Sequence, residues 1–139
     1  MILLDTSGVL AAIDRSQRQH QTAADVLRGA AAPLLLSPFV LAELDYLLST
    51  RVSATAARAL LAQVAAGVYR IEPMDAPDVE AAVAIIDRYA DLELGLADAS
   101  IVVLADRYDT RDVLTLDERH FRALRDTRGR PFRILPTDA

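Results

Sequence analysis

The sequence predicts an α/β fold of three α/β/α layers: a small, mostly parallel sheet of about five strands, with helices on both faces. Three observations predict it. Short apolar runs recur along the chain, suited to strands buried on both faces. Stretches with apolar residues at helical spacing separate those runs. Strands alternating with helices imply parallel pairing, because each parallel connection needs a long crossover.

The first strand is Ile2–Asp5, and Asp5-Thr6-Ser7-Gly8 closes it with an acid, two hydroxyls and a flexible turn. Asp5 there either caps the helix of Val9–Ile13 or serves as a ligand at a strand's carboxyl end, where α/β proteins bind. A helix over Thr22–Arg28 follows, and Ala30-Ala31-Ala32-Pro33 connects it to the strand Leu34–Ser37. Ser37 as N-cap with Pro38 at the first helical position opens Pro38–Ser49. Ser53 caps Ala54–Ala66, which Gly67 ends. Tyr69–Glu72 reads as the third strand, and Asp75 caps a helix over Ala76–Ala90. Leu96–Tyr108 is apolar nearly all round, hence a buried helix. The strand Val113–Leu116, the helix Glu118–Leu124 and the strand Phe132–Leu135 complete the chain. No repeat, linker or low-complexity tract interrupts it, so residues 1–139 are expected to form a single domain.

Composition excludes several kinds of chemistry. With 53% apolar residues over 139, a sizeable core is available. No uncharged apolar run approaches the length of a membrane span, and an acid at position 5 without a basic leader argues against a signal peptide. The absence of cysteine removes disulfides and thiolate metal sites, and fits a cytoplasmic setting. All 15 basic residues are Arg, which removes Schiff-base chemistry and a phosphate-loop lysine. His20 and His120 are the only imidazoles; His120 reads as a structural or rim residue. What chemistry exists rests on carboxylates, hydroxyls and Arg. The net charge of −5 argues against a general nucleic-acid coat, yet residues 107–133 carry eight Arg against five acids.

Four acids fall at telling places. Asp5 and Asp117 each follow a short apolar strand, at what should be one edge of one parallel sheet. Glu43 lies three residues after Val40 and four before Leu47, so it should point towards the core stripe of its helix, while Asp45 faces water. Asp98 and Ser100 are the only polar side chains between Leu94 and Ala105, and the alternative for Asp98 is a plain N-cap. Converging carboxylates need a cation: two like charges about 4 Å apart repel by about 4 kcal/mol at an effective dielectric near 20. Oxygen-only ligands suit Mg²⁺ or Mn²⁺. Such an ion activates water and binds a phosphoryl oxygen. Thr6, Ser7, Ser100 and Thr115 are placed to orient the acids or the water.

Four blocks, Met1–Gly8, Ser37–Glu43, Leu94–Ser100 and Leu114–Phe121, resemble in order and spacing those of PIN domains, and the whole chain resembles the VapC toxins of VapBC toxin–antitoxin systems. The resemblance implies a Mg²⁺- or Mn²⁺-dependent endoribonuclease acting on tRNA, ribosomal RNA or mRNA. It places Asp5, Glu43, Asp98 and Asp117 at the family's four acidic positions, Thr6 or Ser7 at the hydroxyl beside the first, and Thr115 at the one before the last. It also implies a VapB-like antitoxin and a homodimer. Arg119 and Arg122, on the helix after Asp117, are the first candidates to grip RNA. Val9, Leu10, Ile13, Phe39, Tyr46 and Leu47 are candidate docking residues for the antitoxin. One alternative is a phosphatase of the haloacid dehalogenase type. That class wants a second Asp where Ser7 stands, and a Lys this chain lacks. The other is a non-catalytic α/β binding module whose acids are caps.

Overall fold

The computed structural model describes residues 1–139. Five strands, β1 (Ile2–Leu4), β2 (Leu34–Leu36), β3 (Arg70–Ile71), β4 (Asp112–Leu114) and β5 (Arg133–Leu135), form one sheet in the order β3-β2-β1-β4-β5. Every pairing is parallel. The seven α-helices are α1 (Thr6–Ile13), α2 (His20–Gly29), α3 (Pro38–Arg51), α4 (Ala54–Ala65), α5 (Ala76–Arg88), α6 (Leu96–Tyr108) and α7 (Glu118–Ala123). A single 3₁₀ turn, Ala90–Leu92, precedes α6. No helix is long and apolar enough to cross a membrane.

The strand order matters for function. From β1 the chain steps outward to β2 and β3, then returns past β1 to lay down β4 and β5. The sheet therefore reverses its winding between β1 and β4, and a crevice opens at their carboxyl ends. Asp5 directly follows β1, and Asp117 lies three residues beyond β4.

Local chemistry explains where most elements begin. Ser37 accepts the Phe39 N–H, and Pro38 occupies the first helical position, so α3 starts where β2 stops. Ser53 accepts the Ala56 N–H and opens α4. The Asp78 carboxylate reaches back 3.1 Å to the Asp75 N–H at the start of α5. The observed helices differ from expectation mostly at their ends. α1 begins at Thr6, directly after the strand: Asp5 keeps extended backbone and its carbonyl accepts the Val9 N–H at 3.1 Å, the first helical bond. The strands are one or two residues shorter than their apolar runs, since side chains such as Phe132 and Tyr69 pack into the core from beyond the paired backbone.

The sheet is the centre of the core. Leu3, Leu35, Val113, Leu114 and Ile134 are completely buried, and α6 contributes Ile101, Val102 and Leu104 against it. Each such side chain contributes about 1.5–3 kcal/mol relative to exposure. Phe121 of α7 meets Phe132 edge to face, with ring centroids 5.7 Å apart, which seats the helix carrying the last site residues. Val9 and Leu10 are buried in this core, a correction to their expected place on a docking surface. α1 lies so close to the sheet that both serve as core, leaving Ile13 half-buried at its end.

Gly8 permits that close approach. A Cβ there would stand 2.4 Å from the Leu114 carbonyl oxygen, the same oxygen that accepts the Asp5 N–H at 3.1 Å. Gly8→Ala is expected to destabilise the fold by about 1–3 kcal/mol, the range for overpacking a tight core, read from the urea midpoint. A midpoint equal to wild type would mean that α1 can lift from β4 at no cost.

Candidate active site

Asp5, Glu43, Asp98 and Asp117 line one open cavity of about 280 Å³, together with Thr6, Ser7, Leu10, Leu47 and Arg51. The four acids come from four segments: the end of β1, the middle of α3, the first turn of α6 and the cap of α7.

Asp5 is the deepest, at 4% exposure. Its side chain does not cap α1. Ser7 Oγ donates to Asp5 Oδ2 at 2.8 Å, and Thr115 Oγ1 donates to the same oxygen at 2.6 Å. The backbone fixes both hydroxyls in that role. Leu116 N–H donates to Ser7 Oγ at 3.0 Å and Asp117 N–H donates to Thr115 Oγ1 at 2.9 Å, so each hydroxyl proton is free for Asp5. Oδ1 is left without a side-chain donor and can serve a ligand. Burial nevertheless raises the Asp5 carboxyl from its ordinary 3.8 to about 6; the two hydroxyl bonds oppose this and the nearby Asp98 charge adds to it.

Asp98 sits at the third position of α6, its carboxylate a long 3.4 Å from the Gly95 N–H. Burial raises its pKa, with the Asp117 and Glu43 charges adding and the Gly95 bond and His120 opposing. Asp117 does cap its helix: Oδ1 accepts the His120 N–H at 3.1 Å. Oδ2 remains for other partners.

Glu43 differs from expectation. It is exposed at the cavity mouth, and Asp45 is half-buried. Val40, Leu44 and Leu48 bury the core stripe, while Glu43 and Leu47 lie on the stripe's flank, which opens into the cavity.

The hydroxyls divide. Ser7 and Thr115 hold Asp5, but Thr6 Oγ1 is buried beside the site with no hydrogen-bond partner. Ser100 touches none of the four acids. It donates to Ser37 Oγ at 2.6 Å, joining the helix that carries Asp98 to the cap of the helix that carries Glu43.

His120 is drawn into the cluster. Its Nδ1 lies 2.7 Å from Asp117 Oδ2 and 3.8 Å from Asp98 Oδ2, and its Nε2 lies 2.8 Å from the Leu92 carbonyl oxygen. Three-residue spacing from a capping acid is the signal that could have found it. Arg51 was also missed; Glu43, Leu47 and Arg51 repeat every four residues on α3 and share one face. Arg122, by contrast, spends its charge internally. Asp138 grips it through both oxygens at 2.6 and 2.8 Å, and Glu118 adds a third contact at 3.1 Å. Arg119 is exposed and outside every ion pair formed here.

A divalent cation fits this donor set. Asp5 offers an oxygen from its buried position, half-buried Asp98 and Asp117 and exposed Glu43 offer others in the same cavity, and an orphaned buried hydroxyl lies alongside. The cavity and its acids at the sheet's switch point define a class of protein. The PIN domain family model matches residues 2–126, and the chain belongs to that family. Within it the chain is a VapC-type member: it is 43% identical over 135 residues to Ribonuclease VapC26 of Mycobacterium tuberculosis (strain ATCC 25618 / H37Rv), covering 97% of this chain and 100% of that protein. The crystal structure of M. tuberculosis VapC20, described as a sarcin-ricin loop cleaving toxin, superposes with a TM-score of 0.79 at 26% identity, covering 84% of this chain and 90% of that one. FitAcB from Neisseria gonorrhoeae shares the fold with a TM-score of 0.57 at 23% identity, over 81% of this chain and 88% of its own.

The raised Asp5 pKa has a thermodynamic consequence for the metal-free protein. The folded state favours the neutral acid, so the stability from this group is full below 3.8 and is lost as pH rises through about 6. The loss is on the order of 3 kcal/mol. Asn keeps an oxygen to accept from Ser7 and Thr115 and carries no charge. Asp5→Asn is therefore expected to be more stable than wild type at pH 7 and nearly equal to it at pH 3.5. Urea unfolding in EDTA at both values measures this; a difference that does not grow with pH would contradict it.

Proposed function

We propose that this chain is the toxin of a type II toxin–antitoxin pair and acts as a Mg²⁺- or Mn²⁺-dependent endoribonuclease in the cytoplasm. The observation that carries the reading is the meeting of four carboxylates in one cavity at the switch point of the sheet. Caps alone would not meet. Asp5 caps nothing with its side chain, and an acid raised to about 6 by burial is costly unless a cation compensates it. An inert module does not account for this convergence, and the dehalogenase-type phosphatase lacks both its second Asp, where Ser7 stands, and its Lys.

Asp5, Asp98 and Asp117 would hold the metal, with Glu43 at the mouth. The metal would supply positive charge for a phosphodiester oxygen and a water acidic enough to attack at neutral pH. The protein's own groups do the remaining work. Ser7 and Thr115 keep Asp5 from rotating. The α7 cap keeps Asp117 Oδ2 turned away from the backbone. Glu43, exposed and at the mouth, is placed to take up a proton from the incoming water.

RNA is held by arginines that are not already paired. Arg51 flanks the acids within the cavity, and Arg119 projects from α7. VapC20 is described as a sarcin-ricin loop cleaving toxin, and this chain is proposed to take structured RNA such as tRNA or ribosomal RNA, or mRNA. A cognate VapB-like antitoxin restrains it, docking over exposed Tyr46 and half-buried Phe39, Leu47 and Ile13, and pairing a basic side chain with the acids. A homodimer, as the family resemblance implies, presents two such sites.

Asp5→Asn and Asp98→Asn should each abolish RNA cleavage while circular dichroism stays native, and EDTA should silence the wild type. Cleavage that persists in EDTA would end the metal-nuclease reading. The cognate antitoxin should co-elute with the chain and stop cleavage; separate elution would remove the toxin reading and leave the nuclease.

The RNA grip is tested by salt. Arg51→Gln and Arg119→Gln should each weaken RNA binding and flatten the log K against log [salt] slope by about 0.7 per lost contact. Arg122→Gln should leave the slope unchanged, its charge being neutralised within the protein. Fluorescence anisotropy in EDTA reads all three; a flattened slope for Arg122→Gln alone would reverse the assignment.

A further inference from the structure

We infer that His120 is a ligand of the bound metal through Nδ1, beside Asp98 and Asp117, so that the site is a mixed nitrogen–oxygen site; this rests on the metal-nuclease reading and deepens it. The ring's tautomer carries the inference. Nε2 lies 2.8 Å from the Leu92 carbonyl oxygen, which can only accept, so Nε2 bears the hydrogen. In the neutral ring Nδ1 then holds a lone pair. That lone pair is buried and has no hydrogen-bond partner. Its polar neighbours are Asp117 Oδ2 at 2.7 Å, out of line for a hydrogen bond, and Asp98 Oδ2 at 3.8 Å. Three electron-rich atoms facing one another repel unless a positive charge lies among them, a proton on Nδ1 in the metal-free protein or the metal ion that displaces that proton.

Their spacing suits one ion. The donor atoms of Asp98, Asp117 and His120 all lie within 4.8 Å of one another. The backing is that of a metal-bound histidine: the distal N–H is held by a carbonyl, which fixes the tautomer and turns the other nitrogen to the metal. The anchor is local, since the same Asp117 that faces Nδ1 also caps the His120 N–H. A nitrogen donor shifts preference away from Mg²⁺ and towards Mn²⁺, Co²⁺ and Zn²⁺.

The chain has two histidines, which makes the test clean. His20 contacts the Ala11 carbonyl and lines no part of the acid cavity. Electron spin-echo spectroscopy of the Mn²⁺-loaded protein should show a directly coordinated ¹⁴N in wild type and in His20→Ala, and lose it in His120→Ala. Calorimetry should show His120→Ala losing about tenfold or more in Co²⁺ affinity, with a smaller loss for Mg²⁺. Should His120→Ala not fold, the nitrogen signal in His20→Ala still assigns the ligand, because one imidazole remains. Bound Mn²⁺ without nitrogen coupling in wild type overturns the imidazole ligand and leaves the carboxylate site standing. A nitrogen signal surviving in His120→Ala overturns it as well. No Mn²⁺ binding at all would overturn this inference together with the metal reading.

Discussion

The structure depends on one buried carboxylate held by two hydroxyls. Asp5 belongs to the end of β1, Ser7 to the first turn of α1 and Thr115 to the residue after β4. The bonds therefore help close the sheet's switch point, where the connections leave adjacent strands in opposite directions, together with the Asp5 N–H to Leu114 carbonyl and Leu116 N–H to Ser7 bonds. They also set the electrostatics. Two hydrogen bonds to a charged group contribute about 1.5–3 kcal/mol each, yet burial still leaves the acid near 6. Desolvation wins, and the shortfall is what a cation would offset.

Asp98 and Asp117 are positioned by helix starts and Glu43 by the body of α3, and the starts of these helices are linked. Ser37 caps α3 and also receives Ser100 of α6, so the helices bearing Glu43 and Asp98 share one buried joint. Thr115 receives the Asp117 N–H while donating to Asp5, so the cap of α7 is registered against β1. His120 extends the chain of contacts to the 3₁₀ turn through the Leu92 carbonyl, and Tyr89 beside that turn accepts the Arg125 N–H at 3.2 Å. Held on rigid elements in this way, the donor atoms need little rearrangement to receive an ion.

Arginine placement shows how charge counts mislead. The C-terminal run looks basic in sequence, but most of its guanidinium groups meet carboxylates: Arg107 meets Asp78, Arg130 meets Asp126 and Asp109, Arg133 meets Asp112. Asp126 is almost completely buried, and its pKa is held low by Arg130 and by backbone N–H groups against the pull of burial. These pairs fasten the C-terminal segment rather than present a phosphate-binding face. The solvent-exposed pairs, such as Arg133 with Asp112, contribute little each, so their use is in fixing conformation. Arg51, in a neutral-looking helix, is the cation at the cavity.

By itself the sequence determined the α/β class, the strand-end positions of Asp5 and Asp117, and the openings of α3, α4 and α6. Those features depend on local rules: apolar period, a capping hydroxyl, a proline at a helix start. Tertiary structure alone decided that Glu43 faces the cavity and not the core, that Thr6 is orphaned while Ser7 bonds Asp5, and that Ser100 is a joint between helices. It alone decided that His120 and Arg51 belong to the site and that Arg122 is neutralised by Asp138. Each of these turns on which helices meet across the sheet. A helix sequence fixes which residues share a face, but the neighbour that face meets comes from chain segments tens of residues away, and only packing chooses between water, apolar side chains and another charge.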